Sequence, residues 1–426
     1  MAPVKDGFDL TDPEIQQSPH RHYAEMRGER VLYVPANDAW MVLRHEDCLT
    51  VLRDPRTYSS QLGSNREQPS AEAQAEIERI GARGLARPRT LLDNDPPDHT
   101  VYRRLVSRAF TPARMAELRP FVESVCDDLI DGWGDPSSVE FMPQFAVPLP
   151  VRVITHVLNL PTERQDDFRR WTEASTSTIG ASVSDEQHIE NARTSLELQQ
   201  FFVEEFDARR ADPRQDLLSE LLAARIDIGD RRGDRPLDIE ELVRIAQQLL
   251  VAGNETTAKL VTEMMRLLAE TPGEWDAVKA DPSRIPAVVE DSLRLSSPNQ
   301  GMSRIVTKDT TLAGVDLPKG ARVIVMFSSA NRDEALFEEP DELAPGREHL
   351  HDQISFGHGA HYCVGANLAR LEATVALERL SSRIREYRLC DDNDFEYLPS
   401  VTLRGLRRLH ISAEMERAAP RPMRGG

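Results

Sequence analysis

Phe356-Gly357-His358-Gly359-Ala360-His361-Tyr362-Cys363-Val364-Gly365 is followed at once by apolar positions Leu368, Leu371, Val375 and Leu380 at helical spacing. The glycines permit tight backbone turns. Cys363 stands at the mouth of the helix, where the positive end of the helix dipole favours a thiolate; a lowered pKa and metal ligation are expected of it. A Gly-rich turn before a helix, with an ordinary buried thiol, would share part of this pattern but not all ten positions. His358, His361 and Cys363 could also be read as ligands of a zinc hydrolase. The remaining cysteines, Cys48, Cys126 and Cys390, are far apart with no CxxC pair and read as unpaired thiols.

Outward from this loop, helical periodicity dominates, over residues 112–133, 217–225 and 239–269. Strand-like runs are short: 31–34, 40–43, 400–411, and 311–315 with 322–327. The turn Leu317-Pro318-Lys319-Gly320 is expected to join the last pair as a hairpin. The fold class is therefore mainly α with a minor β region. Length alone would suggest two or three domains for 426 residues. No solenoid repeat and no Gly/Ser linker divides the chain, so residues 1–416 are expected to form one domain and 417–426 a disordered tail. Residues 61–89 show little periodicity and read as a mobile covering loop.

A composition 40% hydrophobic and 29% charged can bury a core large enough to enclose a bulky cofactor. The net charge of -19 argues against nucleic acid as a partner. With no signal-peptide core and no apolar run of membrane-helix length, the expected location is cytoplasmic, without a membrane anchor.

The second informative segment lies in the long helical run. Asp238 is placed to cap it, with Glu241 three residues on as in a capping box. Midway, the apolar pattern breaks at Ala252-Gly253-Asn254-Glu255-Thr256-Thr257. Glycine inside a helix costs about 0.5–1 kcal/mol relative to alanine, and an acid and a hydroxyl among apolar turns need partners.

With both segments in this order, the sequence resembles the cytochrome P-450 superfamily from about Phe8 to Glu414. That family's haem-binding loop reads Phe-Gly-x-Gly-x-His-x-Cys-x-Gly, and every fixed position is matched. The resemblance implies the cytochrome P-450 fold, with haem b between the long distal helix and the Cys loop and the Cys363 thiolate as axial ligand of the iron. Such a ligand favours cleavage of the O–O bond. Phe356, Gly357 and Gly365 become cofactor-binding positions. Ala252, Gly253, Glu255 and Thr256 match the family's catalytic Ala/Gly-Gly-x-Asp/Glu-Thr-Thr segment. There Gly253 lets the backbone open for oxygen, and the acid and alcohol relay protons.

A third match departs from its pattern. Where the family has Glu-x-x-Arg, joined by a second Arg downstream, this chain reads Glu290-Asp291-Ser292-Leu293-Arg294. The acid at i−3 is Asp291, one methylene shorter, while Glu290 at i−4 could substitute. Asn331-Arg332-Asp333 and Phe337-Glu338-Glu339-Pro340 resemble the segment that precedes the second Arg, assigned here to Arg347. Asp291, Arg294 and Arg347 are thus structural. His99, Arg103, Arg304 and His361 fall where the family places partners of the haem carboxylates.

The implied activity is monooxygenation: two electrons from NAD(P)H, delivered through ferredoxin reductase and ferredoxin to a monomeric enzyme, and one oxygen atom inserted into a substrate. Pocket walls are expected at 61–92, 175–183, 300–303 and 401–403. Their mixed polarity suits a mid-sized lipophilic terpenoid, steroid, polyketide or aromatic compound. Arg104 and Arg108 form a basic spot expected to face outward, where an acidic ferredoxin would dock. A peroxide-driven or non-oxygenating enzyme of the same fold would not need the Glu255–Thr256 pair, and a haem-binding sensor would show no turnover.

Overall fold

The computed structural model describes residues 3–62, 69–181 and 183–416. The tail assigned to residues 417–426, and residues 63–68 of the covering segment, lie outside these.

One helix organises the molecule. Ile239–Glu270 runs 32 residues without interruption, so the break read at Ala252–Thr257 is in the polarity pattern and not in the backbone. Its start is the expected capping box: the Asp238 side chain accepts from the third helical N–H, and the Glu241 carboxylate accepts from Asp238 N at 2.8 Å. Glu241 also accepts from Arg235 at 2.6 and 2.7 Å and from the Tyr102 hydroxyl at 2.6 Å. Through Tyr102 the helix Asp98–Ser107, which carries His99 and Arg103, is fixed to the long helix.

Around this axis pack Pro148–Val157, Gln165–Thr176, Asp185–Ala211, Ile285–Ser296 and Ala366–Arg383. The last also lies against Pro112–Asp131, which begins as its sequence predicts, with Thr111 Oγ1 accepting from Arg114 N and Pro112 in the first turn. A single apolar cluster runs through these helices from Tyr102 to Ala413.

The β region departs from the expected pairing. Thr310–Leu312 pairs with Val315–Leu317 across Ala313 and Gly314, both at positive φ (50° and 81°), the geometry that a two-residue hairpin turn requires. Arg322–Val325 does not join this hairpin. It lies in a five-stranded sheet, parallel to Ala39–Val42 and antiparallel to Met302–Val306, with Val31–Val34 and Tyr58–Ser59 at the edges. Val323, Ile324 and Val325 are all buried, so this strand needs cover on both faces, which a two-stranded hairpin cannot give. Within 400–411 only the end becomes strand, in His410–Met415; the rest makes isolated bridges, Asn299 with Leu403 and Tyr397 with Leu406.

The covering segment 61–89 is not loop throughout. Ala71–Gly81 is helical, capped by Ser70 Oγ accepting from Ala73 N, with Ala73 and Ile80 buried. Ala73, Ile77 and Ile80 keep helical spacing, but glutamates and an arginine between them mask it.

Candidate active site

The Cys loop is shaped by two glycines. Gly357 and Gly359 both adopt positive φ (67° and 71°), and a Cβ on Gly359 would collide with the Leu52 backbone. The Cys363 N–H donates to the Phe356 carbonyl at 2.9 Å, closing the loop, and the Arg370 guanidinium lies 4.6 Å from the centre of the Phe356 ring. Gly365 caps the helix Ala366–Arg383, and its N–H points at the cysteine sulfur. Burial pushes the Cys363 thiol up despite that N–H and the neighbouring Arg103 and Arg370. The lowered pKa expected from the helix dipole is therefore not a property of the protein alone, because desolvation outweighs it. All four cysteines are free.

Four cationic or ionisable groups from three parts of the chain converge, and one of them, Arg103, acts on the sulfur. His99 and Arg103 sit one turn apart on Asp98–Ser107, Arg304 comes from the strand Met302–Val306, and His361 from the Cys loop. The His99 and His361 rings lie 4.1 Å apart. Burial, followed by neighbouring positive groups, pushes His99 down to about 4 and His361 down to about 3. Arg304 is likewise held down to about 10 by burial. Its guanidinium donates to the Ser303 carbonyl at 2.8 Å. Among the described residues neither Arg103 nor Arg304 makes an ion pair, Asp95 acts on Arg304 and His99 from beyond salt-bridge distance, and His99 Nδ1 and His361 Nε2 are buried without hydrogen-bond partners. Two guanidinium groups without an ion-pair partner and two neutral imidazoles with unpartnered ring nitrogens form a cradle for anions, and the two carboxylates of haem match it. The donor set fits: a sulfur for the metal, and two guanidinium groups with two imidazoles for the propionates. Among the described residues no three His, Cys, Asp or Glu side chains gather to hold a metal ion, which leaves the zinc reading without its ligand set.

The long helix packs on the helix that follows Cys363. Most of its middle is buried, but Arg244, Gln248, Val251, Ala252, Gly253, Glu255 and Thr256 keep accessible surface, most of them at three- and four-residue spacing along one face. A Cβ on Gly253 would meet nothing within 4 Å. The Thr256 hydroxyl donates to the Ala252 carbonyl at 3.2 Å, and Glu255 pairs through Oε1 with Lys259. Asn254 turns the other way, donating to Thr172 Oγ1 at 3.0 Å. Three of the expected pocket walls are knitted together: Val401 N donates to the Gly180 carbonyl at 2.8 Å and Gln300 N to the Thr402 carbonyl at 2.7 Å.

The acid–arginine cluster has one arrangement. Asp291 Oδ1 accepts from Arg294 Nε at 2.6 Å and from Arg347 Nε at 3.0 Å, and Oδ2 accepts from Ala344 N. Glu290 does not substitute, because its carboxylate is taken by Arg370 of the Cys-loop helix and by Gln353. Two buried groups escaped the sequence reading. Lys259 has a sequence signal, since it follows Glu255 by four residues. Glu372 has none: buried on the Cys-loop helix and bonded to Thr257 of the long helix, its carboxyl is raised by burial to about 8.

Comparison with known proteins agrees with this geometry. A family model described as cytochrome P450 matches residues 168–389. Cytochrome P-450 107B1 of Saccharopolyspora erythraea is 36% identical over 406 residues, 94% of this chain and 96% of that protein. A vitamin D(3) 25-hydroxylase of Pseudonocardia autotrophica is 35% identical, covering 95% of this chain and 96% of its own. The solved structure of CYP109Q5 from Chondromyces apiculatus superposes with a TM-score of 0.82 at 31% identity, over 98% of this chain and all of that one. With a match that spans nearly the full length of these relatives at more than 30% identity, the chain belongs to the cytochrome P-450 family of haem monooxygenases.

Proposed function

We propose that this monooxygenase takes two electrons from NAD(P)H through ferredoxin reductase and ferredoxin, and hydroxylates or epoxidises a mid-sized lipophilic substrate of terpenoid, steroid, polyketide or aromatic type. The observation that carries the reading is the convergence of buried His99 and Arg304 with half-buried Arg103 and His361, none of them ion-paired among the described residues, at the Cys363 loop. Haem b, when bound there, supplies the dioxygen-activating oxidation; the protein's own residues orient, exclude water and move protons. Cys363, held by the Phe356–Gly365 turn, would bind the haem iron through its sulfur. Ala252 and Gly253 leave room on the distal helix, and Thr256 presents a hydroxyl there. Glu255 is the carboxyl that brings protons to that hydroxyl, which argues against a peroxide-driven enzyme. A relative that hydroxylates vitamin D(3) supports a lipophile of about that size.

The test is reconstitution with ferredoxin, its reductase and NADPH, using the compound bound most tightly in a spectral screen of the four classes. Product should form, and Thr256→Ala should keep NADPH consumption while losing most of the product, a drop of about 10²-fold or more for a lost proton-transfer group. Full coupling in Thr256→Ala would remove the role assigned to that hydroxyl.

A further inference from the structure

A lysine inside a packed helix needs an anion, since an unpaired buried ammonium is strongly disfavoured. Lys259 has 2% of its side chain exposed and makes its ion pair with Glu255, one turn earlier on the same helix. The pairing engages Oε1 alone; Oε2 of Glu255 is buried and has no hydrogen-bond partner. The carboxyl is thus gripped at one oxygen and free at the other.

The lysine itself is held by a socket. Its stem lies against Gly405, where a Cβ would come within 2.7 Å of Cδ and 2.9 Å of Cε. That glycine is fixed by its carbonyl, which accepts from Leu398 N at 3.0 Å, and by its neighbour Arg404, whose N–H donates to Pro298 at 2.9 Å. Only a residue without a side chain leaves the ammonium its line to Glu255. Burial pushes the Lys259 amine down and Glu255 pushes it back up, as expected of a pair that depends on its partner.

We infer that Lys259 is a positioning residue for the relay acid: seated on Gly405, it anchors Oε1 of Glu255 so that Oε2 is the oxygen presented for proton transfer. The inference rests on the reading of Glu255 as the relay acid. It assigns functions to Lys259 and Gly405 that neither the Cys loop nor the distal-helix motif contains.

Infrared difference spectra of the haem-loaded protein against its Glu255→Gln variant isolate the Glu255 carboxylate bands. In Lys259→Met these bands should shift, because the ammonium bond to one oxygen is gone, and Gly405→Ala should shift them the same way by displacing the lysine. In parallel, product per NADPH, measured with the tightest-binding compound of the spectral screen, should fall about tenfold in both variants while the compound's affinity holds. Unshifted bands in both variants, or unchanged product yield with shifted bands, would overturn the inference. If Lys259→Met fails to load haem, Gly405→Ala decides. Should Glu255→Gln itself keep full product yield, the relay reading fails instead, whatever the bands show.

Discussion

Asp291 has no exposed surface and lies between two guanidinium groups, one of which, Arg294, is equally buried and also donates to the carbonyls of Asn331, Pro340 and Glu342. The aspartate is one methylene shorter than the glutamate the family uses, yet it reaches both arginines, because Arg347 comes to it from the chain after Pro340. Asp291→Asn leaves two buried cations short of an anion and should destabilise the protein by about 3–5 kcal/mol in chemical denaturation. A loss under about 1 kcal/mol, the range of an exposed pair, would show that the cluster is not a structural keystone. At this scale the sequence pointed to Asp291 by its spacing and left Glu290 as a substitute. The choice is made by Arg370, which claims Glu290 from a helix far along the chain.

Between elements, the contact of the long helix with the Cys-loop helix contains the buried carboxyl of Glu372 against Thr257. Its pKa is raised from the ordinary 4.5 to about 8 by burial, so between these values the folded protein keeps a proton that the unfolded chain has released. Stability from this residue therefore falls as pH rises from about 4.5 through 8 and is level outside that window. Glu372→Gln removes the titration and should flatten the slope of unfolding free energy against pH across the window; equal slopes in the two proteins would contradict the assignment. Elements with local signals were legible: the capping box of Ile239–Glu270 and the glycine turn before Ala366–Arg383 rest on neighbours within a few residues. The sheet was not, since Arg322–Val325 finds its partners in Ala39–Val42 and Met302–Val306, and no short pattern encodes a parallel pairing across nearly 300 residues.

For the molecule as a whole, the net charge of -19 makes any exposed basic spot conspicuous to an approaching anion. Arg104 and Arg108 are both exposed at the end of the helix that carries His99 and Arg103. With an acidic ferredoxin as donor, Arg104→Glu combined with Arg108→Glu should slow haem reduction in stopped flow and flatten its dependence on salt, because charge complementarity acts mainly on encounter. Unchanged rates and salt slope would place the docking surface elsewhere. No described helix is long and apolar enough to cross a membrane. The most direct measurement of the central claim is the spectrum of the haem-loaded protein, reduced and exposed to carbon monoxide. Sulfur ligation by Cys363 predicts a long-wavelength Soret band in the wild type that is lost in Cys363→His. A short-wavelength band in the wild type, or the same long-wavelength band in Cys363→His, would contradict the assignment of that residue to the iron.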